Sequence, residues 1–153
     1  MLLLAAPCAF AQDTPPESVT ISVVAVQATT EGNRPKHFDR SIVSVKKSLV
    51  KLSYDTFREV KIVSKAIPLG KKTRVPINDR YTLHLTPIQR QPDGRVRVKA
   101  IIAMKKKPNG KTVNALETTL SLPPGKPLNL GGMKLKKGDL VIVLSMGSKP
   151  APK

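Results

Sequence analysis

The stretch that decides the reading of this chain is Phe38-Asp39-Arg40-Ser41-Ile42-Val43-Ser44-Val45-Lys46-Lys47-Ser48-Leu49-Val50-Lys51-Leu52. Phe38, Ile42, Val45, Leu49 and Leu52 recur at spacings of four, three, four and three, the period of one stripe along an α-helix. Asp39 in the first turn suits the positive end of a helix dipole, and Lys46, Lys47 and Lys51 fall off the stripe toward its C-terminal end. The spacing predicts an amphipathic helix lying on a sheet with its lysines outward.

Ahead of it, Val19, Ile21 and Val23 alternate with Thr20 and Ser22 and run into Val24-Ala25-Val26, a strand that becomes more buried toward its end. Glu31-Gly32-Asn33-Arg34-Pro35 closes that strand as a loop. After Arg58 the texture is strands and turns. Val60 and Ile62 flank Lys61, Pro68 and Gly70-Lys71-Lys72 punctuate, and Tyr81, Leu83 and Leu85 oppose Thr82, His84 and Thr86. Gln91-Pro92-Asp93-Gly94 is a turn, followed by Val96, Val98, Ala100 and Ile102 on one face and Arg95, Arg97 and Lys99 on the other. Pro108-Asn109-Gly110 is a second turn, leading to Leu116, Thr118, Leu120 and Leu122, and Pro123-Pro124-Gly125 breaks the chain again. Leu140-Val141-Ile142-Val143-Leu144 is apolar without alternation, the mark of a central strand buried on both faces. No repeat of fixed period runs through the chain. The class expected is α+β: a β-α-β start with one amphipathic helix packed on a β-rich, mainly antiparallel body, sheet or sandwich.

The chain has 153 residues, which accommodates one domain, expected at 19–146. Residues 1–11 read as a signal peptide: an apolar run, Leu2-Leu3-Leu4-Ala5-Ala6, precedes Ala9-Phe10-Ala11, whose small residues suit cleavage before Gln12. The basic segment that usually opens such a signal is missing. Residues 12–18 form a polar linker and 147–153 a flexible tail. Cys8 is the single cysteine, and Pro7 before it fits a lipoprotein acylation site poorly. Cleavage after Ala11 leaves a mature chain without cysteine, hence without disulfide, thiolate metal site or thiol nucleophile. Such a chain is expected in a bacterial periplasm or cell envelope, with no transmembrane span in its mature form.

Charge is placed unevenly. The net charge is +17, from 27 Lys and Arg against 10 Asp and Glu. Residues 1–33 hold three acids and no base, so all 27 bases face seven acids in residues 34–153, a net +20. A field of that size draws polyanions. The bases fall in five groups: Lys46, Lys47 and Lys51; Lys71, Lys72 and Arg74; Arg95, Arg97 and Lys99; Lys105, Lys106 and Lys107; Lys134, Lys136 and Lys137. Arg95, Arg97, Lys99 and Lys105 share one parity and form a ladder along one strand face. The partners such a surface suits are an anionic envelope polymer, an anionic lipid surface or an acidic protein. Nucleic acid is disfavoured, because few aromatics follow the signal to stack on bases and Phe38 is committed to the apolar stripe.

Chemistry is thinly supplied. His37 and His84 are the two histidines, and His37 with Asp39 at a helix start points its ligands apart. His84 belongs to the polar face of its strand. Gly110-Lys111-Thr112 ends like a phosphate loop, but the required earlier glycine is replaced by Lys105 and the motif closes a turn. Gly131-Gly132 reads as a turn or bulge. No cofactor, metal or catalytic set is expected; the enzymatic alternative is a hydrolase of unusual type using Asp55, Glu59 or Asp79.

The order of these features resembles a group of uncharacterised exported bacterial proteins. The matching residues are Glu31-Gly32, Leu52-Ser53-Tyr54-Asp55-Thr56-Phe57, and Leu128-Asn129-Leu130-Gly131-Gly132 with 138–144. That resemblance implies an exported α+β protein and brings no activity. The glycine-pair segment is also similar to one in outer-membrane secretins. The expected function is therefore an exported, non-enzymatic binding or structural domain with a basic surface for an anionic partner. The alternative is an accessory subunit of a secretion or surface-assembly system that binds through protein contacts.

Overall fold

A computed structural model describes residues 17–106 and 110–146. The expected signal peptide, Cys8, most of the linker, Lys107, Pro108-Asn109 and the tail at 147–153 lie outside these residues. Among the described residues nine strands form: β1 (Ser18–Thr29), β2 (His37–Phe38), β3 (Thr56–Pro68), β4 (Thr73–Pro76), β5 (Tyr81–Arg90), β6 (Val96–Lys105), β7 (Thr112–Leu122), β8 (Leu128–Lys134) and β9 (Asp139–Met146). They make a five-stranded sheet in the order β2-β3-β1-β9-β8 and a four-stranded meander, β4-β5-β6-β7. The pairings between these strands are antiparallel except that of β2 with β3.

The two sheets share one apolar core. Ile21, Val23, Ile67, Leu140, Ile142 and Leu144 of the first meet Leu83, Leu85, Val96, Val98, Ile102 and Leu122 of the second. Every second residue of β5 and β6 supplies this layer, which is the period that a half-buried strand imposes. β1 and β9 are buried on both faces, because Val24, Val26, Ala28, Val141 and Val143 meet a second cluster behind the five-stranded sheet. The non-alternating run 140–144 is thus a central strand, seated between β1 and β8.

The expected α+β class is overturned: the fold is mostly β, with one short helix and no β-α-β start. β3 returns antiparallel to β1, Val24 opposite Ile62, so the segment between them is a long excursion within a hairpin and no crossover to a parallel strand. Among the described residues, helical structure is limited to a 3-10 turn, Arg40–Val45, and a single α-turn, α1 (Lys46–Leu49). Local chemistry explains the failure of a long helix. Ile42, Val43, Val45 and Val50 are β-branched, Ser41, Ser44 and Ser48 compete for backbone groups, and a helix this short is marginal in water. Both ends are also held elsewhere. Phe38 belongs to β2, and the Asp39 carboxylate, in place of serving a helix start, accepts the Glu59 N–H at 2.8 Å.

The excursion still buries apolar groups. Ile42, Val45 and Leu49 are buried in the second cluster, with Phe38, Leu52 and Tyr54 packed around them. Phe38 stacks on Phe57 with ring centroids 4.8 Å apart. Two irregularities shape the ends of the sheets. Ala25 pairs with Lys61 and Val26 with Glu59, leaving Val60 as the extra residue of a bulge, and Gly131-Gly132 form another bulge in β8. The turns at 91–94 and 123–125 lie where the sequence places them. Among the described residues no helix is long and apolar enough to cross a membrane.

Candidate functional site

Three turns meet at one end of the paired sheets. Asn78 opens β5 as an Asx turn: its side-chain oxygen accepts the N–H of Arg80 at 2.9 Å and of Tyr81 at 2.7 Å, which sets Arg80 at the rim. The Arg80 carbonyl accepts the N–H of Lys105, the last residue of β6, at 2.9 Å. The Tyr81 hydroxyl donates to the carbonyl of Lys134, the last residue of β8, at 2.6 Å. The β8–β9 turn is then drawn onto β1, where the Gln27 side-chain amide donates to the Lys137 carbonyl at 2.6 Å and Lys137 Nζ donates to Glu31 at 2.7 Å.

Two clefts open beside Arg80. One, of about 450 Å³, lies between the sheets, with Val60 and Leu135 as apolar lining and Asp79, Arg80, Lys136 and Lys137 as charged groups. The other, of about 200 Å³, lies on the outer face of the four-stranded sheet and brings together Arg74, Arg80, His84 and Lys105 with the hydroxyls of Thr82 and Thr112. Register explains the second: Arg74 is the cross-strand partner of His84 and Lys105 that of Thr112. Burial, then the charges of Lys72 and Arg74, pushes the His84 imidazole below its usual range.

Ion pairing separates the cations. Glu31 takes Lys137 and Arg58, and their hydrogen bonds hold its carboxyl down at about 2. Lys134 pairs with Asp139 at 3.4 Å, and Asp139 also accepts a short hydrogen bond from the Tyr54 hydroxyl, which lowers the Asp139 carboxyl and raises the Tyr54 phenol. Among the described residues, Arg74, Arg80, Lys105 and Lys136 form no ion pair. Two guanidinium groups, two ammonium groups and a histidine thus surround two concave spaces in which an anion can accept several hydrogen bonds.

The structure divides the sequence-derived candidates among several places. Lys105, Lys106, Lys134, Lys136 and Lys137 gather at this end, and Lys107 lies outside the described residues. Arg97 and Lys99 occupy the far part of β6 and Arg95 directly precedes it, with Arg95 paired to Asp93 at 3.3 Å and Lys99 to Glu117 at 3.2 Å. Lys46, Lys47 and Lys51 belong to the excursion behind the five-stranded sheet, where Lys46 lies 5.3 Å from the centre of the Phe38 ring. Arg80 and His84, not among the anion-binding candidates of the sequence, are central. Asn78-Asp79-Arg80 directly before a clear strand carries a turn signal, but the pairing of His84 with Arg74 depends on how β4 meets β5.

The three candidate hydrolytic carboxylates do not converge in these clefts. Asp55 accepts the N–H groups of Glu31 and Gly32 at 2.8 and 2.7 Å and the Thr56 hydroxyl at 2.8 Å, Glu59 lies exposed on β3, and Asp79 stands in the larger cleft. Among the described residues, no three His, Cys, Asp or Glu side chains gather as a metal set. Compared with protein-family models, curated proteins and solved structures, the chain finds no match.

Proposed function

We propose that this is an exported, non-enzymatic binding domain of the cell envelope that holds an anionic polymer at the end built around Arg80. The carrying observation is that Arg80 borders both clefts and is flanked by Arg74, Lys105 and Lys136, none of them ion-paired among the described residues. Desolvating like charges side by side is costly, and an incoming anion relieves that cost. A polymer suits the site better than a lipid surface. Among the described residues, the large exposed apolar side chains, Val43, Val50, Ile62 and Ile88, line neither cleft. Export rests on the apolar and A-x-A pattern of residues 1–11.

The test is calorimetric titration with heparin, a sulfated polysaccharide used as probe, over a series of salt concentrations. Binding should weaken steeply with salt. The double variant Arg80→Gln, Lys105→Gln should lose about tenfold or more in affinity and show a shallower salt dependence, while Lys46→Gln, Lys47→Gln, on the opposite side of the five-stranded sheet, should bind as the parent does. Equal losses in the two variants overturn the site; absence of binding at low salt overturns the anionic partner.

A further inference from the structure

A strand at the edge of a sheet carries unpaired main-chain groups, and proteins protect such edges with short strands, charges, prolines or bulges. Among the described residues, most edges of these sheets are protected in that way. β2 has two residues, and β4 has four, including Arg74 and Pro76. β8 is broken by its glycine bulge, and beyond Phe57 β3 carries Arg58, Glu59, Lys61 and Lys65. β7 differs. It has a bulge at Ala115, but residues 116–122 then run in unbroken register with β6 and, among the described residues, pair with β6 alone. Those seven residues contain one charge, Glu117, and neither proline nor glycine. Leu116 and Leu120 pack on the main core yet stay half-buried, which leaves apolar surface at the open side.

The neighbouring strand states what chemistry belongs there. Arg97 and Lys99 face outward from β6 in register with Ser121 and Thr119 of β7. These hydroxyl side chains are short, so the two long cationic arms can cross β7 toward a strand added about 4.8 Å beyond it. Arg97 has no ion pair among the described residues, and Lys99 is shared only with Glu117. A second copy would bring +17 against +17, which opposes self-pairing. We propose that residues 116–122 accept an extended segment of an acidic partner protein by strand addition. Its alternate side chains are acidic toward Arg97 and Lys99 and apolar toward Leu116 and Leu120. This surface lies at the other end of β6 from Arg80 and does not depend on the polymer site.

The probe is a synthetic peptide of about nine residues alternating Glu and Val, with a Lys and Val peptide as its opposite. Titrated into the full chain, the acidic peptide should slow amide exchange along residues 116–122 by about tenfold or more. Added salt should weaken it. Thr118→Lys, an inward charge at the edge, and the surface pair Arg97→Gln, Lys99→Gln should each reduce affinity about tenfold. Lys46→Gln, in the excursion behind the five-stranded sheet, should leave it unchanged. No slowing along 116–122, equal slowing by the Lys and Val peptide, or slowing that rises with protein concentration without peptide overturns the proposal, the last in favour of a second copy.

Discussion

Gly138 leaves no space for a side chain against Ala28: a Cβ there would fall 2.3 Å from the Ala28 carbonyl oxygen and 2.5 Å from Thr29 Cγ2. Its φ of +77° is likewise a conformation that side chains resist. The contact seats the β8–β9 turn on β1 and thereby brings Lys136 and Lys137 to the cleft beside Arg80.

Gly138→Ala should therefore lower the unfolding free energy by about 3 kcal/mol, since backbone atoms of β1 must move as well as the residue adopting a strained φ. Gly70 supplies the comparison, with φ +82° and nothing within 4 Å of the point where a Cβ would stand. Gly70→Ala should cost only about 1 kcal/mol. Urea midpoints of the two variants measure the difference.

Acid should weaken the fold through three carboxylates. Hydrogen bonds from Lys137 and Arg58 hold Glu31 at about 2, the Glu31 N–H leads the depression of Asp55, and the Tyr54 hydroxyl leads that of Asp139. Each stays ionised in the fold where the unfolded chain has already taken up a proton. The stability they add is complete above the unfolded carboxyl value of 4.5 for Glu31 and is lost as pH falls toward 2. Urea midpoints should decline over that interval, and Glu31→Gln should decline less; an equally steep decline would remove Glu31 from the account.

The His84 imidazole should report on anions in the outer cleft. Burial, then the charges of the neighbouring Lys72 and Arg74, pushes it below the usual histidine range and so favours the neutral form in the free protein. An anion beside it supplies the opposite charge, so the titration midpoint must rise on binding and affinity must increase as pH falls. Sulfate, which does not titrate in this range, should raise the midpoint by about half a unit in an NMR titration. A midpoint that ignores sulfate places the anion elsewhere.

The excursion between β1 and β3 should contribute to stability through few residues. Leu49 is wholly buried against the second cluster, and Leu49→Ala should cost about 3 kcal/mol. Val43, more than half exposed at 55%, should tolerate Ser within about 0.5 kcal/mol. Equal costs at the two positions, measured by thermal or urea unfolding, would mean that the excursion is not seated as described.

Several features are legible in the sequence because they are local. β5 and β6 announce themselves by strict alternation, β9 by its lack of it, and the turn at 91–94 by its Pro-Asp-Gly chemistry. The stripe Ile42, Val45 and Leu49 is also a true mark of burial. Its period misleads about class, because spacings of three and four are satisfied equally by a 3-10 turn followed by one α-turn. The site is half legible: Lys105, Lys106, Lys134, Lys136 and Lys137 stand out as bases, whereas Arg80 shows only as part of the turn Asn78-Asp79-Arg80 and the place of His84 depends on how β4 meets β5.

What the sequence alone determined is which residues are apolar, where the chain turns and how much positive charge the domain must spread over its surface. Only the tertiary structure decided that β3 returns antiparallel to β1, that Arg80 meets both Lys105 and the β8–β9 turn, and that Lys46, Lys47 and Lys51 stand apart from the bases at the Arg80 end. The physical reason is that strand partners are chosen by burying two faces of β1 and β9 at once, against the second sheet and against the excursion. That choice depends on contacts between residues far apart in the chain, whereas alternation and turn chemistry are set by neighbours.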